Sequence, residues 1–230
     1  MLAVAIIVIA MHVLLLLVSL ILSKKKMEKE VEDASFLRYF PSEYFEIKTS
    51  LDVLLTSFFV VAYALMAAPL ILTLLTVEIM DDSLRAYIGL GITTFAISMI
   101  LNFLLISVKP SKERAHFMIF VALSFLMAVS VAMEGLVFMS FRSFSISEEW
   151  SIAFSIVHFV LSAFFVALPL NPKMRDWYRL EAMTNKDGSV SYKRPKIFIL
   201  AFSEWQLYGA MSLSFLSSMI SYFLMYLGNM

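Results

Sequence analysis

The fold class this sequence predicts is all-α: a polytopic bundle of about six transmembrane helices with both termini on the non-cytoplasmic side. Three observations predict it. Hydrophobic residues fill 61% of the 230 positions, against about 45–50% in a soluble domain, and mean hydropathy is +0.86. The apolar residues collect in runs of about 20, the length that crosses a hydrocarbon core. Finally, 16 of the 18 Lys and Arg residues fall in three segments that alternate with the spans. They are Lys24, Lys25, Lys26, Lys29, Arg38 and Lys48, then Lys109, Lys112 and Arg114, then Lys173, Arg175, Arg179, Lys186, Lys193, Arg194 and Lys196. The other connections hold only Arg85 and Arg142. Positive charge in short loops stays cytoplasmic, so these three segments share the cytoplasmic side.

The spans follow in order. Residues 2–22 form the first. No basic residue precedes this run and Lys24-Lys25-Lys26 follow it, so it reads as a retained helix and not as a signal peptide, whose apolar region is about 7–15 residues. Residues 24–48 link to the second span. Met27, Val31, Ala34 and Leu37 recur there at helical spacing among charged neighbours, which predicts an amphipathic extension lying near headgroups. The second span, 51–77, opens at the hydroxyls of Thr49 and Ser50 with Asp52 at the positive end of the helix dipole. Pro69 kinks it, because its ring nitrogen cannot donate.

Spans three and four cover 87–108 and 115–138, divided at Lys109-Pro110. Ser145-x-x-Glu148 has the form of a capping box before span five, 150–168, which Pro169 and Pro172 end. Segment 171–196 is a basic cytoplasmic loop, and Asn185-Lys186-Asp187-Gly188 is a turn signal able to close a small hairpin. The last span, 207–226, suffices alone. With residues 197–205 added it would reach about 45 Å, too long for a core of about 30 Å, so 197–205 is predicted to lie in the cytoplasmic interface with Trp205 as anchor. The whole chain is one integral membrane domain.

Ionisable groups inside spans are costly, which makes each a functional hypothesis. Glu134 sits about 6 Å inside the outer end of span four and His158 about 12 Å inside that of span five. The two spans are antiparallel neighbours, so a contact is geometrically possible, directly or through water. It reads either as a proton- or cation-handling pair or as a polar contact that fixes packing. His12 lies near mid-bilayer and reads as a hydrogen-bonded packing residue before a ligand. Glu204 reads as an interfacial carboxylate answering Lys193, Arg194 or Lys196. Asn102 is placed to bond across helices. His116 stands at the membrane edge, and three histidines are too few for paired bis-histidine haem sites. Ala210, Ser214 and Ser218 repeat every four residues, a small-residue pattern that lets helices approach closely. It serves either internal packing or a second membrane subunit.

Several classes are set aside. There is no cysteine, hence no disulfide or thiolate metal site, and no metal or cofactor is expected. No GxSxG, HExxH, P-loop or dinucleotide-binding glycine pattern occurs. Net charge is zero, without bias toward nucleic acid. The segregated basic face suits anionic lipid headgroups.

Between residues 39 and 183, Tyr39-Phe40-Pro41, Glu43 and Asp52, then Glu113-Arg114, then Glu134 before an aromatic-rich helix end, then Ala167-Leu168-Pro169, Met174-Arg175 and Leu180-Glu181-Ala182-Met183 occur in order. Together they resemble the transmembrane protein 161 family. Members of that family are longer, with more spans. The resemblance implies a non-enzymatic multi-pass protein linked to membrane excitability and ion currents, with no catalytic residues to carry over.

The leading expectation is a non-enzymatic membrane protein acting through partners, either other membrane subunits or a second copy, as an accessory or regulator of ion transport. The alternative is a channel or proton- or cation-coupled carrier using Glu134 and His158. A small membrane enzyme acting on lipid ranks third. The sequence does not distinguish plasma membrane from endomembrane.

Overall fold

An apolar run of about 20 residues satisfies its own N–H and C=O groups in lipid as an α-helix, the spanning form that needs no partner segment. In a computed structural model, described over residues 2–31, 34–76, 82–108, 112–140, 148–172, 181–184, 190–193 and 196–228, six helices are long and apolar enough to cross a membrane. They are α1 (Leu2–Glu30), the pair α3 (Ser50–Ala64) and α4 (Ala68–Thr76), α5 (Asp82–Ser107), α6 (Glu113–Ser140), α7 (Glu148–Ala167) and α8 (Ile199–Gly228). A single turn, α2 (Pro41–Tyr44), precedes α3. The strands β1 (Glu181–Thr184) and β2 (Val190–Lys193) pair antiparallel as a hairpin. The Asn185–Gly188 turn signal, the Ser145-x-x-Glu148 box and Lys109-Pro110 include residues outside those described.

Local chemistry sets the breaks. Thr49 caps α3: the Asp52 N–H donates to its hydroxyl, and the Asp52 carboxylate accepts from the N–H groups of Thr49 at 2.7 Å and Lys48 at 2.9 Å. Pro69 offers no N–H to the carbonyl of Leu65, and α3 gives way there to a tight 3-10 turn, Leu65–Ala67, before α4 begins. The Pro169 signal acts the same way, ending α7 in the 3-10 turn Leu168–Leu170.

One expectation is corrected. The amphipathic extension of α1 is helical as far as Glu30, with Met27 buried, and beyond the helix Ala34 is buried as well. Leu37 is exposed. The chain turns after α1 so that Phe36 packs on Trp205 at 4.6 Å and Phe40 on Phe198 at 5.1 Å. Residues 199–205 are the first turns of α8. They are covered by that same segment: the Phe198 N–H donates to the Leu37 carbonyl at 2.7 Å, and the Trp205 indole N–H to the Tyr39 carbonyl at 2.9 Å.

Cross-helix bonds give the packing directions. Ser130 of α6 donates to the Gly91 carbonyl of α5, and Ser162 of α7 to the Ala128 carbonyl of α6, so α5, α6 and α7 run antiparallel in sequence. Ser151 of α7 also donates to the Phe138 carbonyl. His12 of α1 meets Ala62 of α3, while Lys26 meets Asp52, so α1 and α3 are antiparallel. The α6–α8 pair is different. His116 meets Glu204 and Glu134 meets Ser218, so these two helices run parallel. α8 is the central helix, with 56% of its most apolar stretch buried against 17% for α1.

These directions bring the segments after α1, between α5 and α6, and before α8 to one end of the bundle. Lys24, Lys25, Lys26, Lys29, Arg38, Lys48, Lys112, Arg114 and Lys196 belong to that end, and Arg85 to the other. Tyr44 is buried there, and burial pushes its phenol pKa up. The Lys48 ammonium is held by the Glu30 carboxylate at 2.9 Å and by Glu46 at 3.2 Å. The hydrogen bonds it donates to these two, Glu30 first, raise its pKa.

Candidate functional site: two buried carboxylate–imidazole clusters

Glu134 on α6 and His158 on α7 face each other. The Glu134 Oε2 to His158 Nε2 distance is 3.5 Å. Ser218 of α8 stands between them, with its hydroxyl oxygen 2.6 Å from Glu134 Oε2 and 2.8 Å from His158 Nε2. Ser214, one turn earlier, donates more weakly to the same carboxylate oxygen at 3.5 Å. His158 is fully enclosed and Glu134 6% exposed. The Phe138 ring lies 5.0 Å from the imidazole.

Gly135 makes this approach possible. A Cβ there would stand 3.3 Å from the His158 Cβ and from the edge of the Phe159 ring. With a side chain here, α7 or the Phe159 ring would have to give by a few tenths of an ångström.

The protons in this cluster can be counted. His158 Nδ1 lies 2.7 Å from the Phe154 carbonyl, which can only accept, so Nδ1 carries a proton. Two arrangements then satisfy the remaining bonds. In one, His158 Nε2–H donates to Ser218 and Ser218 donates to the Glu134 carboxylate. In the other, a protonated Glu134 donates to Ser218 and Ser218 donates to a bare His158 Nε2. Both hold the same number of protons and the same net charge of zero. They differ by moving one proton from Oε2 to Oγ while the Ser218 proton moves from Oγ to Nε2.

The second cluster joins residues that the sequence left apart. Glu204 is not at the surface, and the side chains of two of its expected partners, Lys193 and Arg194, lie outside the described residues. Glu204 is fully buried, and its Oε1 lies 2.9 Å from His116 Nδ1. Charge inside a bundle seeks a buried partner, and the parallel packing of α6 and α8 supplies His116. His116 Nε2 is 2.7 Å from the Val108 carbonyl and 3.2 Å from the Ser42 hydroxyl. No local pattern pairs positions 116 and 204, which belong to helices distant in sequence.

The weaker candidates are placed as follows. His12 is buried, donates Nδ1–H to the Ala62 carbonyl at 2.7 Å and lies 4.4 Å from the Phe215 ring. The carboxamide oxygen of Asn102 accepts from the Tyr208 hydroxyl at 2.6 Å, joining α5 to α8. Ala210, Ser214 and Ser218 are all buried against the chain's own helices, so this face is occupied internally. Among the described residues, no group of three or more His, Cys, Asp or Glu is placed to hold a metal ion.

Helices of this length and composition, packed around two buried acid–imidazole clusters, make this a polytopic α-helical membrane protein. No protein-family model matches the chain, and neither a curated protein nor a solved structure matches it.

Proposed function

We propose that this chain is a non-enzymatic, multi-pass membrane protein that handles protons through the Glu134–Ser218–His158 relay. One observation carries the reading: a serine hydroxyl within hydrogen-bond reach of both a buried carboxylate and an imidazole whose other nitrogen is fixed as a donor. Such a cluster exchanges a proton between two sites without creating net charge in a medium where charge is expensive. The basic end is the side we assign to the cytoplasm, since each Lys or Arg near an anionic lipid surface contributes about 1 kcal/mol. Both termini then lie on the opposite side.

The proton-handling reading is favoured over that of an accessory subunit because the small-residue face proposed for a partner is covered from within. The motif resemblance to the transmembrane protein 161 family fits either reading, since both concern ion movement. The test is purified protein in liposomes loaded with a pH-sensitive dye, under a potassium diffusion potential. Proton flux above that of empty liposomes, lost in Glu134→Gln, supports the relay. Absence of flux from folded wild-type protein overturns it and leaves the accessory reading.

A further inference from the structure

The second cluster has a feature that the first lacks. Glu204 Oε1 faces His116 Nδ1, but Oε2 is buried without a hydrogen-bond partner among the described residues. Glu204 is 0% exposed. A buried acceptor left open costs about 1–3 kcal/mol, more if charged, and native interiors rarely keep one without a ligand or a water.

The surroundings limit what that ligand is. His116 Nε2 faces a carbonyl, that of Val108, at 2.7 Å, so Nε2 carries a proton and Nδ1 is the position that titrates against Glu204. From α2, the Glu43 carboxylate also acts on Glu204 through space, and its Oε2 accepts from the Phe40 N–H at 2.9 Å. From α8 itself, Tyr208 approaches one turn on, and its hydroxyl donates to Asn102. Phe40 closes the site with its ring 5.0 Å from the imidazole. Among the described residues, the ion-pair partner of Glu204 is His116, and no lysine or arginine. The open oxygen therefore sits on an acid whose hydrogen-bonded cationic partner is itself titratable.

We propose that His116 and Glu204 form a second proton-binding site, at the basic end of the bundle, which takes up a proton on Glu204 Oε2. The net-neutral pair that takes up the proton is imidazolium with carboxylate, Nδ1–H donating to Oε1. Uptake adds one proton from water to the open oxygen. Oε1 goes on accepting from Nδ1–H, so no existing hydrogen bond breaks, and the pair moves from net zero to net +1. Eighteen positions separate His116 from Glu134 along α6, about 27 Å at 1.5 Å per residue. The two sites thus lie toward opposite ends of one parallel helix pair. The His116–Glu204 site does not depend on the relay at Glu134 moving protons.

Infrared spectroscopy of the full chain in lipid nanodiscs, titrated with acid, tests this directly. The expected result is a carboxylic-acid C=O band that grows as pH falls, is lost in Glu204→Gln and persists in Glu134→Gln. Should Glu204→Gln fail to fold, Glu204→Asp displaces the same band instead. In parallel, the nitrogen-15 signals of His116 are expected to stay those of a doubly protonated ring while the band grows. A Glu204 band that is absent or constant across the pH range of the folded protein overturns the proposal. Loss of the band in Glu134→Gln also overturns it, because the two sites would then not be distinct. Failed proton flux with an intact Glu204 titration counts against the relay alone.

Discussion

His158 Nδ1 lies 2.7 Å from the carbonyl oxygen of Phe154, one helical turn earlier. The same relation recurs at both other histidines of the chain, His12 with Ala62 and His116 with Val108, each also at 2.7 Å. A carbonyl that only accepts fixes one ring nitrogen as a donor and leaves the other to respond to its surroundings. At His158 and His116 that other nitrogen meets a glutamate, through Ser218 or directly. At His12 it meets no hydrogen-bond partner among the described residues. Backbone geometry thus makes two of the three imidazoles partners of acids and leaves the third a packing residue.

Ser218 is expected to be indispensable to the first cluster through its hydroxyl and not its volume. Ser218→Ala leaves Glu134 and His158 3.5 Å apart, beyond a good hydrogen bond. It should destabilise the protein by about 1–3 kcal/mol, because two buried polar atoms lose their partner. Ser218→Thr keeps the hydroxyl and should restore the wild-type nitrogen-15 signals of His158, provided its methyl is accommodated. Thermal unfolding in detergent, together with those signals, checks both variants. Indistinguishable His158 signals in wild type and Ser218→Ala would show that the serine does not bridge.

Much of this fold is legible in the sequence because bilayer physics is coarse. Run length gives the spans, Pro69 and Pro169 the breaks, and Thr49 with Asp52 a cap. Depth counting suffices to bring Glu134 near His158, since α6 and α7 are consecutive and antiparallel. It does not reveal Ser218, because a small residue every four positions looks the same whether it packs or donates a hydrogen bond. The His116–Glu204 pair is also out of reach. It depends on two non-consecutive helices running parallel, and no periodicity within either one encodes that. The continuation of α8 back to Ile199 is likewise not given by run length, since the length limit on a span ignores protein that covers a helix end.

The close contact of α6 with α7 yields a second prediction. Gly135→Ala introduces a Cβ at 3.3 Å from the His158 Cβ and the Phe159 ring. That is overpacking, worth about 1–3 kcal/mol, and it should part Glu134 from His158. Gly89 and Gly209, also within helices, have nothing within 4 Å of an added Cβ. Alanine there should be neutral or stabilising by about 0.5–1 kcal/mol. Equal effects of all three alanines on thermal unfolding would mean that close packing at Gly135 is not what requires a glycine.

At the basic end two ion pairs of similar length should differ widely in worth. Lys26 meets Asp52 at 2.7 Å and Lys48 meets Glu30 at 2.9 Å. The Asp52 side chain is only 2% exposed, whereas Lys48 and Glu30 are 48% and 41% exposed. Asp52 also accepts from two N–H groups at the start of α3. Asp52→Ala removes the carboxylate half of the capping box and the ion-pair partner of Lys26, which keeps only the Glu46 carbonyl at 3.1 Å, for an expected loss of about 2–3 kcal/mol. Lys26→Met should cost less, because the cap bonds remain. The exposed pair is screened by water and salt, so Lys48→Met should change stability by at most about 1 kcal/mol. Because its neighbours raise the Lys48 pKa, this small contribution is fully present at neutral pH. It is lost only as pH rises through the folded-state value, above the ordinary lysine range. Chemical unfolding of the three variants at low and high salt checks the order. If Lys48→Met proves as damaging as Asp52→Ala, burial does not decide which of these contacts holds α1 to α3.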